Sequence, residues 1–296
     1  MSAAATRLSS VTVNGVRSPV LEAGPEGAPE AVVFVHGNPG VAEDWRPLLE
    51  PTGEFARAVA ITMPGFGDAD KPRDLPYTVD GYARHLAGAL DALGVLRAHL
   101  VLHDFGGPWG LEWAARHPQQ HASTTLVNTG VILREGWHAL AKVWRTPGLG
   151  ELFFRASSRG GMRQFMKRTN PPSFPQSYAD HLFDLYQDRG TQRAVLQLYR
   201  NTPIRPHADG LAPRLREHQR PALVVWGAKD PYLKVRLAER QREVFRDARV
   251  EVLPDSGHWP LADAPAAVAA AVLPFLREQA GGPAQAELHT EGLARG

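Results

Sequence analysis

The chain has 296 residues, of which 43% are hydrophobic and 22% are charged, the balance of an ordinary water-soluble globular protein. Its formal net charge of +2 comes without a basic cluster interleaved with aromatic residues, which argues against a nucleic-acid partner. The chain contains no cysteine. This excludes a disulfide framework, a cysteine nucleophile and a thiolate metal site.

The amino-terminal stretch MSAAATRLSS lacks the apolar segment of a secretory signal. No apolar run in the chain approaches the roughly 20 residues that a membrane-spanning helix needs. We therefore expect a cytoplasmic protein without a membrane partner. The sequence leaves a monomer and a homodimer open.

Short apolar runs alternate along the chain with segments of helical spacing. Residues 11–22 alternate weakly, which predicts a β-hairpin. The apolar runs predict six further strands: Ala31–His36, Ala58–Met63, Ala98–His103, Ser123–Asn128, Ala222–Trp226 and Val250–Leu253. Helices are predicted at Tyr77–Leu93, Pro108–His117, Lys234–Phe245 and Ala264–Leu276. This alternation is typical of an α/β fold with a mostly parallel central sheet and helices on both faces.

The alternation stops between residues 131 and 215, where aromatic residues, arginines and prolines dominate and no strand-like run occurs. We interpret 131–215 as a helical cap inserted after the sixth strand of an α/β core, which 1–130 and 216–280 form. Residues 281–296 are expected to be a disordered tail. The aromatic cap favours an apolar pocket for a small apolar substrate. The candidates for its lining are Trp137, Trp144, Phe154, Tyr178 and Trp259.

The segment HDFGG, residues 103–107, joins a predicted strand to a predicted helix. A nucleophile elbow presents its reactive residue on such a strained turn and needs small neighbours, which Gly106 and Gly107 supply here. Two residues before Asp104 the chain has Leu102 instead of glycine, so the motif is incomplete on that side. Taken alone, the segment is also compatible with Asp104 as the N-cap of the following helix.

A second loop, HGNPG at residues 36–40, follows the first long strand. In a parallel sheet this loop lies beside the Asp104 turn if the two strands are neighbours. The backbone N–H groups of Asn38 and Phe105 would then form an oxyanion hole. By itself the loop is equally compatible with a plain turn that ends a strand.

Two more reactive groups follow later strands. Asp230 lies in the turn GAKDP directly after Ala222–Trp226, and His258 lies in the loop SGHWP after the last strand. The chain order Asp104, Asp230, His258 is nucleophile, acid and base, which is the order of α/β-hydrolases. Four such segments at the ends of strands, in this order, favour a catalytic triad over coincidence.

The segments HGNP, HDFGG, GAKDP and SGHWP resemble those of the α/β-hydrolase fold superfamily, and in particular its epoxide hydrolase and haloalkane dehalogenase group. The resemblance covers about residues 30 to 277. No G-x-S-x-G segment occurs, so a serine esterase or lipase is disfavoured. The resemblance implies an ester between Asp104 and the substrate, which water activated by His258 then hydrolyses. It implies no cofactor and no metal.

The leaving group distinguishes the two activities of this group. Epoxide hydrolases protonate the leaving oxygen with a pair of cap tyrosines, whereas dehalogenases bind the halide with N–H donors, one on a tryptophan directly after the nucleophile. Phe105 takes the position of that tryptophan and has no side-chain N–H, although Asn38 would suit a halide. Tyr199, 31 residues before Asp230, resembles the second cap tyrosine.

The first cap tyrosine of epoxide hydrolases is missing, because residues 149–154 read LGELFF. Its role is open among Tyr178, Tyr186, Trp137, Trp144 and His138. The sequence therefore predicts an epoxide hydrolase with Tyr199 as a proton donor. The first alternative is a haloalkane dehalogenase, and the second is a non-hydrolytic or ligand-binding member of the fold, since fold and function separate easily.

Overall fold

The computed structural model describes residues 5–132 and 135–281, and a central sheet organises them. Its eight strands are β1 (Arg7–Val13), β2 (Val16–Ala23), β3 (Glu30–Val35), β4 (Arg57–Ile61), β5 (Arg97–His103), β6 (His121–Val127), β7 (Ala222–Gly227) and β8 (Arg249–Leu253). Their order in the sheet is β1-β2-β4-β3-β5-β6-β7-β8. Of the tail predicted for 281–296, all but Gly281 lies outside the described residues.

Antiparallel pairing is confined to one end of the sheet. β1 and β2 form the predicted hairpin, turning at Asn14 and Gly15, which both have positive φ. β2 also pairs antiparallel with β4, and β3 to β8 are all parallel. The predicted α/β fold with a mostly parallel sheet is therefore confirmed.

The register of the parallel strands brings their carboxyl ends to one edge of the sheet. Val35 at the end of β3 is level with Leu102 in β5, and Leu102 is level with Leu126 in β6. Val127 is level with Val225 in β7. The residues that follow β3, β5, β6 and β7 consequently meet at this edge, where open α/β sheets bind their ligands.

Twelve helices occur among the described residues. They are α1 (Arg46–Thr52), α2 (Val79–Ala92), α3 (Gly106–Arg116), α4 (Ala139–Arg145), α5 (Leu149–Ala156), α6 (Arg159–Thr169), α7 (Gln176–Leu185), α8 (Arg189–Asn201), α9 (Ile204–Glu217), α10 (Arg236–Arg240), α11 (Pro260–Asp263) and α12 (Pro265–Ala280). None of the described helices is both long and apolar enough to cross a membrane.

Helices cover both faces of the sheet because side chains on each strand alternate between them. In β3, Val33 and Val35 pack in the cluster that contains Leu86 of α2. Val32 and Phe34 pack in the opposite cluster, with Leu48 of α1, Val268 and Val272 of α12. Buried apolar surface on both faces explains why the strands are unbroken apolar runs in the sequence.

The predicted helix Lys234–Phe245 is much shorter in the structure. α10 ends at Arg240, and a 3₁₀ turn over Gln241–Glu243 follows it. The Gln241 side chain is buried and bonds the backbone N–H and carbonyl of Val131. A tertiary contact thus holds the chain where helical spacing alone predicted a continuous helix.

Six helices, α4 to α9, lie between β6 and β7, as expected for an insertion after the sixth strand. We call this segment, residues 139–217, the helical insertion. The sheet resumes at Ala222. The division of the chain into a core (1–130 and 216–280) and a cap (131–215) stays a prediction.

Candidate active site

Asp104 lies on a sharp turn between β5 and α3. Its φ of 47° is in the left-handed region, which a non-glycine residue rarely adopts. The helix begins two residues later, and a Cβ on Gly106 would overlap the backbone carbonyl of Val35. A Cβ on Gly37 would overlap the Asp104 side chain itself. These glycines let two strand ends approach closely, and the turn presents Asp104 at the carboxyl edge of the sheet.

The three residues predicted as a triad are brought together. Nδ1 of His258 lies 2.7 Å from Oδ2 of Asp230, and Nε2 of His258 lies 3.4 Å from Oδ2 of Asp104. His258 and Asp230 are buried, whereas the Asp104 side chain is 16% exposed. The imidazole therefore bridges a buried carboxylate and one that is accessible from outside.

The Asp230 carboxylate accepts four hydrogen bonds, and one of the donors, Asn128, was not predicted from the sequence. The backbone N–H groups of Tyr232 and Leu233 donate to Oδ1 at 2.7 and 2.9 Å. The Asn128 side chain donates to Oδ2 at 2.7 Å, beside His258. Asn128 directly follows β6 and has a φ of 45°. An asparagine after a strand is common in turns, so its residue type gives no sign of a functional role. The only signal in the sequence is its position at the carboxyl end of a predicted parallel strand.

The loop that carries His258 is fixed from several sides. Asn128 also donates to the carbonyl of Gly257 at 3.1 Å. Nε2 of His103 lies 2.8 Å from the backbone carbonyl of His258, to which it donates. Asp263 accepts from the Ser256 hydroxyl at 2.5 Å and from the Gly257 N–H at 2.8 Å. The base is thus positioned by its own backbone as well as by Asp230.

The charges of the triad shift its pKa values in opposite directions. Burial alone would raise the pKa of Asp104, but the hydrogen bond and the charge of His258 lower it to about 2. Burial disfavours the charged form of His258, yet the carboxylates of Asp230 and Asp104 raise its pKa to about 10. The resting site therefore holds an imidazolium between two carboxylates at neutral pH.

The loop 36–40 lies against the Asp104 turn as predicted. The Asn38 backbone N–H donates to Oδ1 of Asp104 at 2.7 Å. The Phe105 N–H makes no hydrogen bond within the described residues, so it is free for an oxygen at the same carboxyl group. His36 orders the loop, because its Nε2 accepts from the Met63 N–H and its Nδ1 donates to the Gly37 carbonyl.

Two tyrosines of the helical insertion approach Asn38. Its side-chain amide donates to the Tyr199 hydroxyl at 3.3 Å. Burial and the Asp104 charge raise the pKa of Tyr199 well above its usual value. Burial, Tyr199 and Asp104 likewise raise the pKa of Tyr186, and a hydrogen bond from Asn38 opposes them. Both phenols are therefore protonated.

A cavity of about 100 Å³ lies beside Asp104 and His258. Of the five residues predicted to line it, Trp137, Trp144 and Trp259 do so. The rest of the wall is largely apolar, with Phe105, Leu140 and Met166 among its members. The cavity therefore suits a small apolar molecule with one reactive centre at the carboxyl edge of the sheet.

Phe154 and Tyr178, the other two residues predicted for the pocket, do not line this cavity. Phe154 packs behind the wall, stacked on Trp144 at 6.0 Å between ring centroids. Tyr178 lies on α7 against Phe174 and lines a separate, smaller pocket with Asp44. Both side chains stabilise the helical insertion instead of facing the reactive carboxylate.

Fold and site together define the class of protein. Residues 30–265 match the family model for the alpha/beta hydrolase fold, and the chain belongs to this family. A cis-3-alkyl-4-alkyloxetan-2-one decarboxylase of Xanthomonas campestris is 27% identical over 286 aligned residues, which cover 88% of this chain and 93% of that protein. A haloalkane dehalogenase of Agrobacterium fabrum is 29% identical over 188 residues, 60% of this chain and 59% of its own.

Among solved structures, the epoxide hydrolase CorEH superposes with a TM-score of 0.78 at 18% identity, covering 93% of this chain and 99% of that one. At 18% identity, this structural similarity shows a shared fold and no more. The family match places the chain in the α/β-hydrolase superfamily, as the four motifs predicted, and haloalkane dehalogenases are among the proteins to which it is similar. The protein is a hydrolase of that superfamily.

Proposed function

We propose that the protein is an epoxide hydrolase, which opens an apolar epoxide to a diol through an ester on Asp104. The observation that carries the proposal is the carboxylate on the turn, with one oxygen held by the Asn38 N–H and the other facing His258. A carboxylate is an adequate nucleophile for in-line displacement at an sp³ carbon that bears a strained leaving group. Residue type at the turn thus selects the reaction.

In the first step, Oδ2 of Asp104 bonds to a ring carbon of the epoxide. The ring C–O bond breaks, its electron pair stays on the oxygen, and that oxygen takes the phenolic proton of Tyr199. Tyr199 is suited to this role because it accepts a hydrogen bond from Asn38 and keeps its own hydrogen for the cavity. Tyr186, the other tyrosine beside Asn38, takes the role of the missing cap tyrosine.

In the second step, His258 takes a proton from water while the water oxygen adds to the ester carbon of Asp104. Negative charge develops on Oδ1, which the N–H groups of Asn38 and Phe105 stabilise. The adduct collapses, the alcohol oxygen takes the proton from His258, and the diol leaves. The proton left on the Asp104 carboxyl returns to the imidazole, and the Tyr199 phenolate takes back a proton from solvent, which restores the resting site. Esterification removes the Asp104 charge, so the pKa of His258 falls and the imidazole can act as a base.

A halide leaving group has less support. Phe105 offers no side-chain donor, and the Asn38 amide already donates to Tyr199. The decarboxylase relative acts, by its name, on an oxetan-2-one, which is also a small strained oxygen ring. Oxygen leaving groups on strained rings are therefore the substrate class that we propose.

The proposal is tested by trapping the ester. The variant His258→Gln removes the base for the second step, so incubation with styrene oxide should add one substrate mass to the protein, and peptide mapping should place it on Asp104. 1,2-Dibromoethane is the halide counterpart. The double variant His258→Gln, Asp104→Asn is the control that must stay unmodified.

The outcomes separate the three readings. An adduct from the epoxide alone supports the proposal. An adduct from the halide alone replaces it with haloalkane dehalogenase activity. Saturable binding of styrene oxide without an adduct or turnover, at every pH tested, favours the ligand-binding alternative and overturns the covalent mechanism.

A further inference from the structure

Several polar side chains that line the cavity have hydrogen-bond partners in the protein. The Thr129 hydroxyl donates to the Asp104 carbonyl, and the Thr202 hydroxyl donates to the Leu198 carbonyl. The Asn38 amide serves the two tyrosines. Asn38 Oδ1, Trp144 Nε1 and His207 Nε2 belong to the same lining and lack a partner, but these atoms are sealed from solvent. The second ring nitrogen of His138 also has no hydrogen-bond partner within the described residues, and it is not sealed.

The tautomer of His138 is fixed by its place in the fold. It is the N-cap of α4, and its Nδ1 accepts the N–H of Ala141 at 3.2 Å. An acceptor at Nδ1 leaves the hydrogen of a neutral ring on Nε2. Burial lowers the pKa of His138 to about 4; the Asp104 charge opposes this shift, whereas the His258 charge adds to it. The ring is therefore neutral, with an N–H group at Nε2.

This N–H group lies close to the reacting centre. The His138 ring is 6.3 Å from the Tyr199 ring and 5.0 Å from the Tyr232 ring, centroid to centroid. Tyr232 in turn packs at 5.0 Å on His258. His138 thus occupies the wall between the proposed proton donor and the proposed base.

We propose that His138 is a substrate-binding residue, whose Nε2–H donates a hydrogen bond to a neutral acceptor oxygen, such as an ester or ketone carbonyl, beside the reacting carbon. For the identity of that carbon the inference rests on the proposed function. A neutral N–H donor suits a carbonyl oxygen, since a substrate carboxylate would be repelled by the Asp104 charge and would meet no positive charge on the His138 ring. The preferred substrates are therefore epoxides that carry a carbonyl group on the ring.

Two variants separate the donor from the cap. The amide of asparagine reaches the position of Nδ1, so His138→Asn keeps an acceptor for the Ala141 N–H and loses the distal donor. The amide of glutamine reaches the position of Nε2, so His138→Gln keeps a donor toward the cavity and loses the cap. The glutamine variant is expected to melt at a lower temperature than the asparagine variant.

Binding is measured in the Asp104→Asn background, where no ester forms, by quenching of the cavity tryptophan fluorescence. The probes are methyl 3-phenylglycidate, which carries an ester carbonyl, and styrene oxide, which does not. With His138 present, the glycidate should bind about tenfold more tightly, the gain from one buried hydrogen bond. The preference should vanish in His138→Asn and persist in His138→Gln.

Three results would overturn the inference: no preference for the glycidate with His138 present, a preference that survives His138→Asn, or one that disappears equally in both variants. The last result would mean that His138 acts only through the cap of α4. Because this binding needs no reaction, its outcome is independent of the trapping experiment. Failure of the ester on Asp104 and failure of the His138 contact are therefore distinguishable.

Discussion

The cavity has two walls, and they are held in different ways. On the sheet side, Asp230 has four donors and His258 is fixed through its ring and its backbone. On the side of the helical insertion, Trp144 and Tyr199 pack with each other and with Trp137, which lies just before the insertion; the ring centroids are 4.9 to 5.2 Å apart where they meet. Directional bonds fix the reacting groups, whereas packing shapes the space in front of them.

Because the two walls are held differently, substitutions in them should have different effects. The residues at the strand ends cannot move without breaking their hydrogen bonds, and a buried donor left without its acceptor destabilises the folded protein by about 1–3 kcal/mol. Aromatic packing tolerates substitutions of similar volume. We expect variants of the sheet wall to affect turnover of every substrate, and variants of the insertion wall to affect particular steps or substrates.

The largest effect is expected from Asp104→Asn, because an amide does not displace a leaving group at an sp³ carbon. Turnover of styrene oxide should fall by at least about 10⁴-fold, as for the loss of a triad member in other hydrolases. Asp255→Asn is the matched control, since Asp255 follows β8 at the same edge but its side chain is 89% exposed. A large loss in the control, or residual turnover in Asp104→Asn, would contradict the assignment.

Tyr199→Phe tests the insertion wall and should separate the two steps. Formation of the ester from an epoxide should slow about 100-fold, the usual contribution of a positioned acid, whereas hydrolysis of the ester stays unchanged. Tyr186→Phe should slow the same step less, because Asn38 keeps Tyr199 in place. Rapid-quench kinetics measure both rates. Equal loss in both steps would assign Tyr199 to the packing of the wall instead.

The pH dependence should also differ between the steps. Ester formation needs ionised Asp104 and protonated Tyr199. The pKa of Asp104 is about 2 and the pKa of Tyr199 is raised well above its usual value, so this rate should stay constant between pH 5 and 9. Ester hydrolysis needs neutral His258. Its rate should therefore rise about tenfold per pH unit until the pKa of His258 in the ester, which lies below the resting value of about 10. A rate of ester formation that rises through pH 6 to 7 would contradict this order.

The smallest effect is expected at an exposed end of a helix in the insertion, outside the cavity lining. Ser158 caps α6, and its hydroxyl accepts the Gly161 N–H at 3.1 Å. Ser158→Ala should lower the free energy of unfolding by about 1 kcal/mol and leave turnover within twofold of the parent. Ser158→Asp should restore the stability, since aspartate is also a good N-cap. Thermal melts measure the stability of both variants, and turnover assays measure their activity. A larger loss of turnover would show that this helix end affects the active site.

The sheet wall was largely predictable from sequence. Buried parallel strands leave unbroken apolar runs, and Asp104, Asp230 and His258 follow such runs in a diagnostic order. Asn128 was not predictable, since its role depends on two residues about 100 positions away that only the folded sheet brings near.

The insertion wall was much less predictable. Its aromatic composition indicated an apolar pocket but could not tell which face of a short helix each ring occupies. Of the residues predicted for the pocket, Trp137 and Trp144 line the cavity, whereas Phe154 and Tyr178 lie outside it. Tyr186 was one of five candidates, and only the position of Asn38 in space distinguishes it.

The close approach at Gly37 and Gly106 has a consequence for laboratory evolution. Any side chain at either position would meet the Asp104 carboxylate or the backbone of the neighbouring strand. Saturation libraries at these two codons should return almost only the parent residue, whereas libraries at Leu140 or Phe153 should return many active clones. We therefore expect new substrate ranges to arise when the helical insertion is exchanged between homologues and the residues at the strand ends are kept unchanged.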